Sequence, residues 1–95
     1  MNDSIRYQTD TEVTFQKLGD ETVIVHLGTG RIHHANATGS RIWELLEGGR
    51  SIEEVLKILQ DEFEVPPEKL RQEVMGFIEQ LASEKMIHSV ADGAS

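Results

Sequence analysis

The 95-residue sequence contains no cysteine, which excludes disulfides, thiolate zinc sites and cysteine nucleophiles. It also lacks any apolar run long enough to cross a membrane. Its N-terminus does not have the basic and then apolar form of a signal peptide. These absences predict a cytoplasmic chain with no membrane partner, and a length of 95 residues predicts a single domain.

Basic residues are scarce. The chain has 9 lysines and arginines against 17 aspartates and glutamates, which gives a formal net charge of −8. Nucleic-acid binding depends on neutralising phosphates with a basic surface, so no nucleic-acid partner is predicted. The negative field favours a cationic partner such as a basic peptide. An acid excess also keeps a small protein in solution, and composition alone does not separate these two interpretations.

The sequence has no signature of catalysis or of cofactor binding. No Gly-x-Ser-x-Gly, phosphate-binding loop or dinucleotide fingerprint occurs. Gly28 and Gly30 follow one predicted strand but open another strand rather than a helix, which argues against phosphate binding. His33 and His34 are adjacent in a strand, point to opposite faces and cannot easily share a metal ion. We therefore predict that the protein is not an enzyme and has no cofactor, no catalytic residue and no metal site.

Three segments near the N-terminus alternate in polarity, as half-buried strands do. They are Glu12 to Leu18, Glu21 to Leu27 and Arg31 to Ala35. Gly19-Asp20 and Gly28-Thr29-Gly30 provide short turns between them. Short links favour an antiparallel meander, in which the third predicted strand lies at an edge.

The rest of the chain has helical spacing. A first helix is predicted over Ala37 to Glu47, with Asn36 as its N-cap and the only tryptophan, Trp43, in the core. Ser51 opens a second helix with a capping box, and a third helix runs from Pro67 to near Lys85.

This order predicts an α+β fold that resembles a winged helix-turn-helix, with an N-terminal three-stranded antiparallel sheet followed by three helices. Residues 1–11 and 89–95 are polar and without periodicity, and we predict them to be flexible tails. The single domain is then residues 12–88.

The stretch from the third predicted strand into the first helix carries a family resemblance. A strand that ends in Gly-x-x-x-x-Leu/Ala-Asn and continues into a helix with Ile-Trp-x-Leu-Leu and a glycine resembles the PqqD-like family. The pattern extends in order from about Val13 to Ile87. Ala35 departs from it, because the family usually has leucine there. The matching residues are Gly30, Ala35, Asn36, Thr38, Gly39, Ile42, Trp43, Leu45, Leu46 and Gly48.

The resemblance implies a recognition element for ribosomally made, post-translationally modified peptides. In that family, the leader segment of a precursor peptide adds as a strand to the third strand and lies against the third helix. The domain presents the peptide to a modifying enzyme, such as a radical S-adenosylmethionine enzyme in pyrroloquinoline quinone biosynthesis. The expected partners are therefore a precursor leader peptide and a peptide-modifying enzyme.

Two segments are the candidate peptide-binding site. The edge strand offers unpaired backbone groups to a guest strand. The third helix has a second apolar flank beside its core stripe, and this flank either lines a groove or completes a wide core face. The candidate residues are Arg31, Ile32, His33, His34 and Ala35 on the strand and Arg71, Met75, Ile78 and Ala82 on the helix.

Two other functions compete with peptide capture. One is a protein-interaction module of the same fold that acts in another pathway, for example in polysaccharide assembly. A winged-helix DNA-binding protein is less favoured, because the third helix has few basic residues. A monomer is the default expectation, although an edge strand also permits a dimer. The sequence names neither the peptide nor the enzyme.

Overall fold

The computed structural model of the protein describes residues 5–90. It confirms the predicted α+β class, the three-stranded antiparallel sheet and the three helices that follow it. None of the helices within this range is long and apolar enough to cross a bilayer. The elements in chain order are β1 (Arg6–Thr9), β2 (Val13–Leu18), β3 (Glu21–His26), β4 (Ile32–Ala35), α1 (Ala37–Glu47), α2 (Ile52–Glu62), α3 (Pro67–Ser83) and β5 (Ile87–Val90).

The three predicted strands are β2, β3 and β4, which pair in that order as a meander. Phe15 lies opposite Ile24, and Ile24 lies opposite His33, so these three residues share one face of the sheet. Ile24 is fully buried on this inner face, which packs on the helices. The outer face carries Val23, Val25 and Ile32, and Ile32 is 57% exposed.

Trp43 of α1 lies at the centre of the core and is fully buried, as predicted. The ring of Phe15 meets it edge to face, with 5.4 Å between ring centroids. Such aromatic pairs add to the stabilisation that burial alone provides. The buried core cluster consists of Ile24, Ile42, Trp43, Leu45, Leu46, Ile52, Val55, Leu59, Leu70, Val74, Ile78, Leu81, Met86 and Ile87.

Local capping chemistry sets the starts of α1 and α2. The Asn36 side chain accepts a hydrogen bond from the backbone N–H of Gly39 at 2.9 Å. Ser51 and Glu54 form a reciprocal capping box at the start of α2. Both caps confirm the predictions. Each provides a side-chain acceptor for backbone N–H groups that have no partner within the helix.

The two ends of the described chain differ from the prediction. We predicted flexible tails over residues 1–11 and 89–95, but β1 and β5 pair as an antiparallel ribbon, with Tyr7 opposite Ser89. Tyr7 also packs against the core, and Ile87 is buried. Each strand is short and mostly polar, and its partner lies about eighty residues away, so no local pattern revealed the pairing. Residues 1–4 and 91–95 of the predicted tails lie outside the described residues.

Four charged side chains join β2, α1 and α2. Arg41 of α1 donates to both carboxylate oxygens of Glu62 in α2, the shortest contact being 2.6 Å. Lys17 of β2 donates to Glu44 at 2.5 Å. The guanidinium of Arg41 lowers the pKa of Glu62, and the ammonium of Lys17 is the main cause that lowers the pKa of Glu44.

We expect Glu62→Gln to reduce the free energy of unfolding near neutral pH by about 0.2–1 kcal/mol, because the pair is partly solvated. The folded-state pKa of Glu62 lies below its ordinary value of 4.5, so its contribution is present above that pH and disappears as the pH falls through the folded-state pKa. Urea unfolding of the wild type and of Glu62→Gln, at neutral pH and at about pH 3, measures the difference in the free energy of unfolding. Glu64→Gln is the matched control, and an equal deficit at both pH values would contradict the ion-pair explanation.

Candidate functional site

The outer edge of β4 is unpaired within residues 5–90. The His26 N–H donates to the Arg31 carbonyl at 2.9 Å, and hydrogen-bonded pairs alternate along an antiparallel ladder. This alternation indicates that the backbone groups of His33 and Ala35 face β3, whereas those of Ile32 and His34 face the free edge. Two residues of β4 therefore present main-chain donors and acceptors to a guest.

Helix α3 lies beside this edge. The ring of Phe77 meets the ring of His33 edge to face at 5.6 Å between centroids. The Nδ1 atom of His33 lies 3.1 Å from the Glu84 carboxylate. Because His33 is only 8% exposed, these contacts join β4 to α3 beneath the surface. We call the region between the free edge of β4 and this side of α3 the β4–α3 groove, bounded by β4, by Glu73, Gly76, Phe77 and Gln80 of α3 and by Glu84 at the C-cap of the helix.

A cavity of about 370 Å³ lies at the end of the groove where β4 leads into α1. We call it the Glu73 cavity. A Cβ atom added at Gly76 would meet no atom within 4 Å, so this helix position opens onto free space. At Gly39, by contrast, a Cβ would lie 3.0 Å from the Phe77 ring, so a glycine is needed for α1 to approach it closely. The cavity is lined by Asn36, Thr38, Gly39, Ile42, Gln72, Glu73, Gly76, Phe77 and Gln80.

A second cavity, of about 320 Å³, lies at the opposite end of the groove, where β4 begins and α3 ends. We call it the Arg31 cavity. Lys85 helps to form it by adopting a left-handed backbone conformation with φ of 62°, and the chain then turns so that Met86 is buried in the core. Its lining residues are Thr29, Arg31, Ser83, Glu84 and Lys85.

The turn that leads into β4 is held by a buried histidine. The Nδ1 atom of His26 accepts hydrogen bonds from the backbone N–H groups of Gly28 and Thr29, each at 3.1 Å. Its Nε2 atom lies 3.6 Å from the Asp10 carboxylate. The backbone N–H of Glu12 is the main cause that lowers the pKa of Asp10. His26 therefore orders the hairpin from which the edge strand starts.

The strand residues of the candidate site alternate between the outer and the inner face of the sheet. Ile32 and His34 are exposed on the outer face, and Arg31 is exposed just before the strand. His33 and Ala35 are buried on the inner face, at 8% and 3% exposure. A guest strand at this edge would contact the exposed side chains of Ile32 and His34, whereas the side chains of His33 and Ala35 are buried on the inner face.

The helix residues of the candidate site require correction. Ile78 is 1% exposed and belongs to the core, and Met75 packs against the core. At 3.6 residues per turn, Met75 and Phe77 lie on opposite sides of the stripe formed by Val74 and Ile78. Since Phe77 contacts β4, the flank predicted as groove lies on the side away from β4. That flank consists of Arg71, Met75 and Ala82.

The groove side of α3 was therefore not predicted from the sequence. Gly76 was the available signal, because a glycine inside a helix costs about 1 kcal/mol relative to alanine and suggests a requirement for space. Among residues 5–90, no cluster of three or more histidine, aspartate or glutamate side chains has the arrangement that a metal ion needs.

Solved structures resemble this fold closely. The structure of TbiB1 in complex with the TbiA(beta) leader peptide has a TM-score of 0.82 and 31% sequence identity, over 88% of this chain and 98% of that chain. The structure of a lasso peptide synthetase B1 complexed with the leader peptide has a TM-score of 0.79 and 19% identity, over 87% of this chain and 98% of that chain. The second likeness concerns the fold alone. No protein with a curated description matches the sequence.

The family pattern of coenzyme PQQ synthesis protein D (PqqD) matches residues 21–87, which is most of the chain. The matched range begins with β3 and ends at the start of β5, so it includes the edge strand, all three helices and the groove between β4 and α3. The predicted resemblance is confirmed, and the chain belongs to the PqqD family.

Proposed function

We propose that this protein is a non-catalytic peptide-binding protein that captures the leader segment of a ribosomally made precursor peptide. The peptide adds as a strand to the free edge of β4 and lies in the β4–α3 groove. The domain then presents it to a modifying enzyme, for example a radical S-adenosylmethionine enzyme. The observation that carries the proposal is the edge of β4 beside α3, which pairs with no other strand within residues 5–90 and has a cavity at each end.

The similar solved structures support a leader peptide as the class of ligand. TbiB1, which is 31% identical to this chain over nearly its whole length, is seen in complex with a leader peptide. Structural similarity alone does not transfer a ligand, but here it coincides with family membership and with a strand edge that is unpaired in the described part of this chain.

Strand addition suits the dimensions of the edge. At about 3.3 Å per residue, the four residues of β4 span about 13 Å, so the guest pairs over a short segment. Main-chain hydrogen bonds to Ile32 and His34 supply affinity that is independent of the guest's sequence. Alternate guest side chains then point toward α3 or toward the outer face, and those that point toward α3 reach the two cavities.

The test is a backbone NMR titration of the full chain with two peptides. One is the TbiA(beta) leader peptide, and the other is a candidate leader encoded beside this chain. We expect the largest amide shifts at Ile32, His34, Gly76 and Phe77, and none with a scrambled peptide. Shifts confined to the free edge of β2 or to the flank of Arg71 and Met75 would contradict the proposed site. A titration without shifts for either peptide would contradict the function.

A further inference from the structure

The two ends of the β4–α3 groove carry opposite charge. Among residues 5–90, Glu73 is the one charged residue that lines the Glu73 cavity. The same part of the chain lines the Arg31 cavity with two cations, Arg31 and Lys85, and one carboxylate, that of Glu84. The Glu84 carboxylate is already engaged by His33 at 3.1 Å. A peptide lying in the groove therefore meets a negative end and a positive end.

These charges are available to a ligand. Glu73, Arg31 and Lys85 are all exposed, and none of the three makes an ion pair with another residue in the range 5–90. They differ in this respect from Arg41 and Glu62, which neutralise each other.

The spacing of the charges matches a short extended peptide. Glu73 and Ser83, which line the two cavities, are ten residues apart in α3, which at 1.5 Å per residue is about 15 Å, and Lys85 follows the end of the helix. An extended strand covers that distance in about five residues. Only alternate side chains of a guest strand face α3, so even separations of about four or six residues place two side chains at the two ends.

We propose that this charge order sets the direction and register of the bound peptide, an inference that rests on the proposed function. The segment carries a basic side chain at the Glu73 cavity and, about four to six residues away, an acidic side chain at Arg31 and Lys85. An antiparallel guest continues the antiparallel sheet, and its N-terminal end lies where β4 ends at Ala35. The basic residue therefore precedes the acidic residue in the leader.

The charges resolve an ambiguity that the backbone leaves open. Main-chain hydrogen bonds are satisfied equally well when a guest slips by two residues, because the side-chain period of a strand is two. A slip of two residues moves a guest by about 6.6 Å, which separates both of its charged side chains from their partners. Glu73, Arg31 and Lys85 are therefore specificity-determining residues.

The experiment measures coupling between charges on the protein and on the peptide. Each charged residue of the TbiA(beta) leader and of the adjacent candidate leader is replaced in turn by glutamine or asparagine. Affinities of all peptides for the wild type and for Glu73→Gln, Arg31→Gln and Lys85→Gln are measured by fluorescence anisotropy at low and high ionic strength. Glu79→Gln on the far side of α3 and Lys57→Gln on α2 are the matched controls, since both residues are exposed.

We expect each groove variant to weaken binding of the unmodified leader by about two- to fivefold at low salt, with less effect at high salt. For a peptide in which one particular basic residue has been neutralised, Glu73→Gln should not weaken binding further. For a peptide in which an acidic residue closer to the C-terminus has been neutralised, Lys85→Gln should not weaken binding further. Both controls should bind like the wild type.

Three results would overturn the inference, and they differ from failure of the proposed function. Equal affinities for the wild type and all groove variants would show that the charges do not contact the peptide. Coupling in the opposite order, acidic before basic, would contradict the antiparallel direction. Coupled positions much closer or farther apart than about four to six residues would contradict the register. Absence of binding by the wild type to either leader at either salt concentration would overturn the proposed function and this inference together.

Discussion

Replacing Gly76 with leucine is expected to weaken peptide binding by about tenfold or more while the domain stays folded and gains stability. Gly76 lies inside α3, where glycine costs about 1 kcal/mol relative to a good helix former. A Cβ atom at this position meets nothing within 4 Å, so the leucine has room in the free protein. Its side chain then extends into the Glu73 cavity of about 370 Å³ and takes up space that the proposed peptide needs.

Two measurements on the same samples separate stability from binding. Urea unfolding reports the free energy of unfolding, and anisotropy with a leader peptide reports affinity. Gly76→Ala is the matched control, because it gains the same helix propensity but leaves most of the cavity open. We expect its stability to rise by about 1 kcal/mol with affinity near the wild-type value. Wild-type affinity in Gly76→Leu would show that the peptide does not use this cavity.

Replacing His34 with proline is expected to abolish strand addition and leave the fold largely intact. The alternation along β4 places the His34 N–H at the free edge, where it bonds no other residue of the sheet. Proline lacks this donor and is tolerated at such edge positions. His33→Pro should instead unfold or strongly destabilise the domain, because it removes a ladder hydrogen bond to β3 and the contacts of His33 with Phe77 and Glu84.

The fold of each proline variant is measured by thermal unfolding and by its amide NMR spectrum, and peptide affinity is measured on the folded samples. His34→Thr is the control, since threonine keeps the N–H and is favoured in strands. We expect it to bind the leader within about threefold of the wild type. If His34→Pro binds equally well, the affinity comes from side-chain contacts, and strand addition at β4 is wrong.

The edge position of β4 could be predicted because it depends on short-range chemistry. The links at Gly19-Asp20 and Gly28-Thr29-Gly30 are short, so consecutive strands must pair as a meander. Positive φ at Gly19 and Gly30 agrees with this prediction, since few other residues adopt that conformation without strain. The third predicted strand therefore lies at an edge of the meander.

The face of α3 that borders β4 could not be predicted in the same way. Apolar residues on this helix cover both flanks of the core stripe, with Phe77 on one side and Met75 on the other. Hydrophobic periodicity identifies the buried stripe, but it does not say which neighbour covers each flank. The contact between Phe77 and His33 decides this, and the two residues are far apart in sequence.

The sequence by itself determined the order and type of the central elements, the Asn36 and Ser51 caps and the burial of Trp43. Each follows from propensity, capping or periodicity within a few residues. Only the tertiary structure decided that β1 pairs with β5, that Ile78 is core and that Gly76 and Glu73 face the groove. These features arise from packing between segments that are distant in the chain. Which side of an element is buried then depends on the elements that pack against it.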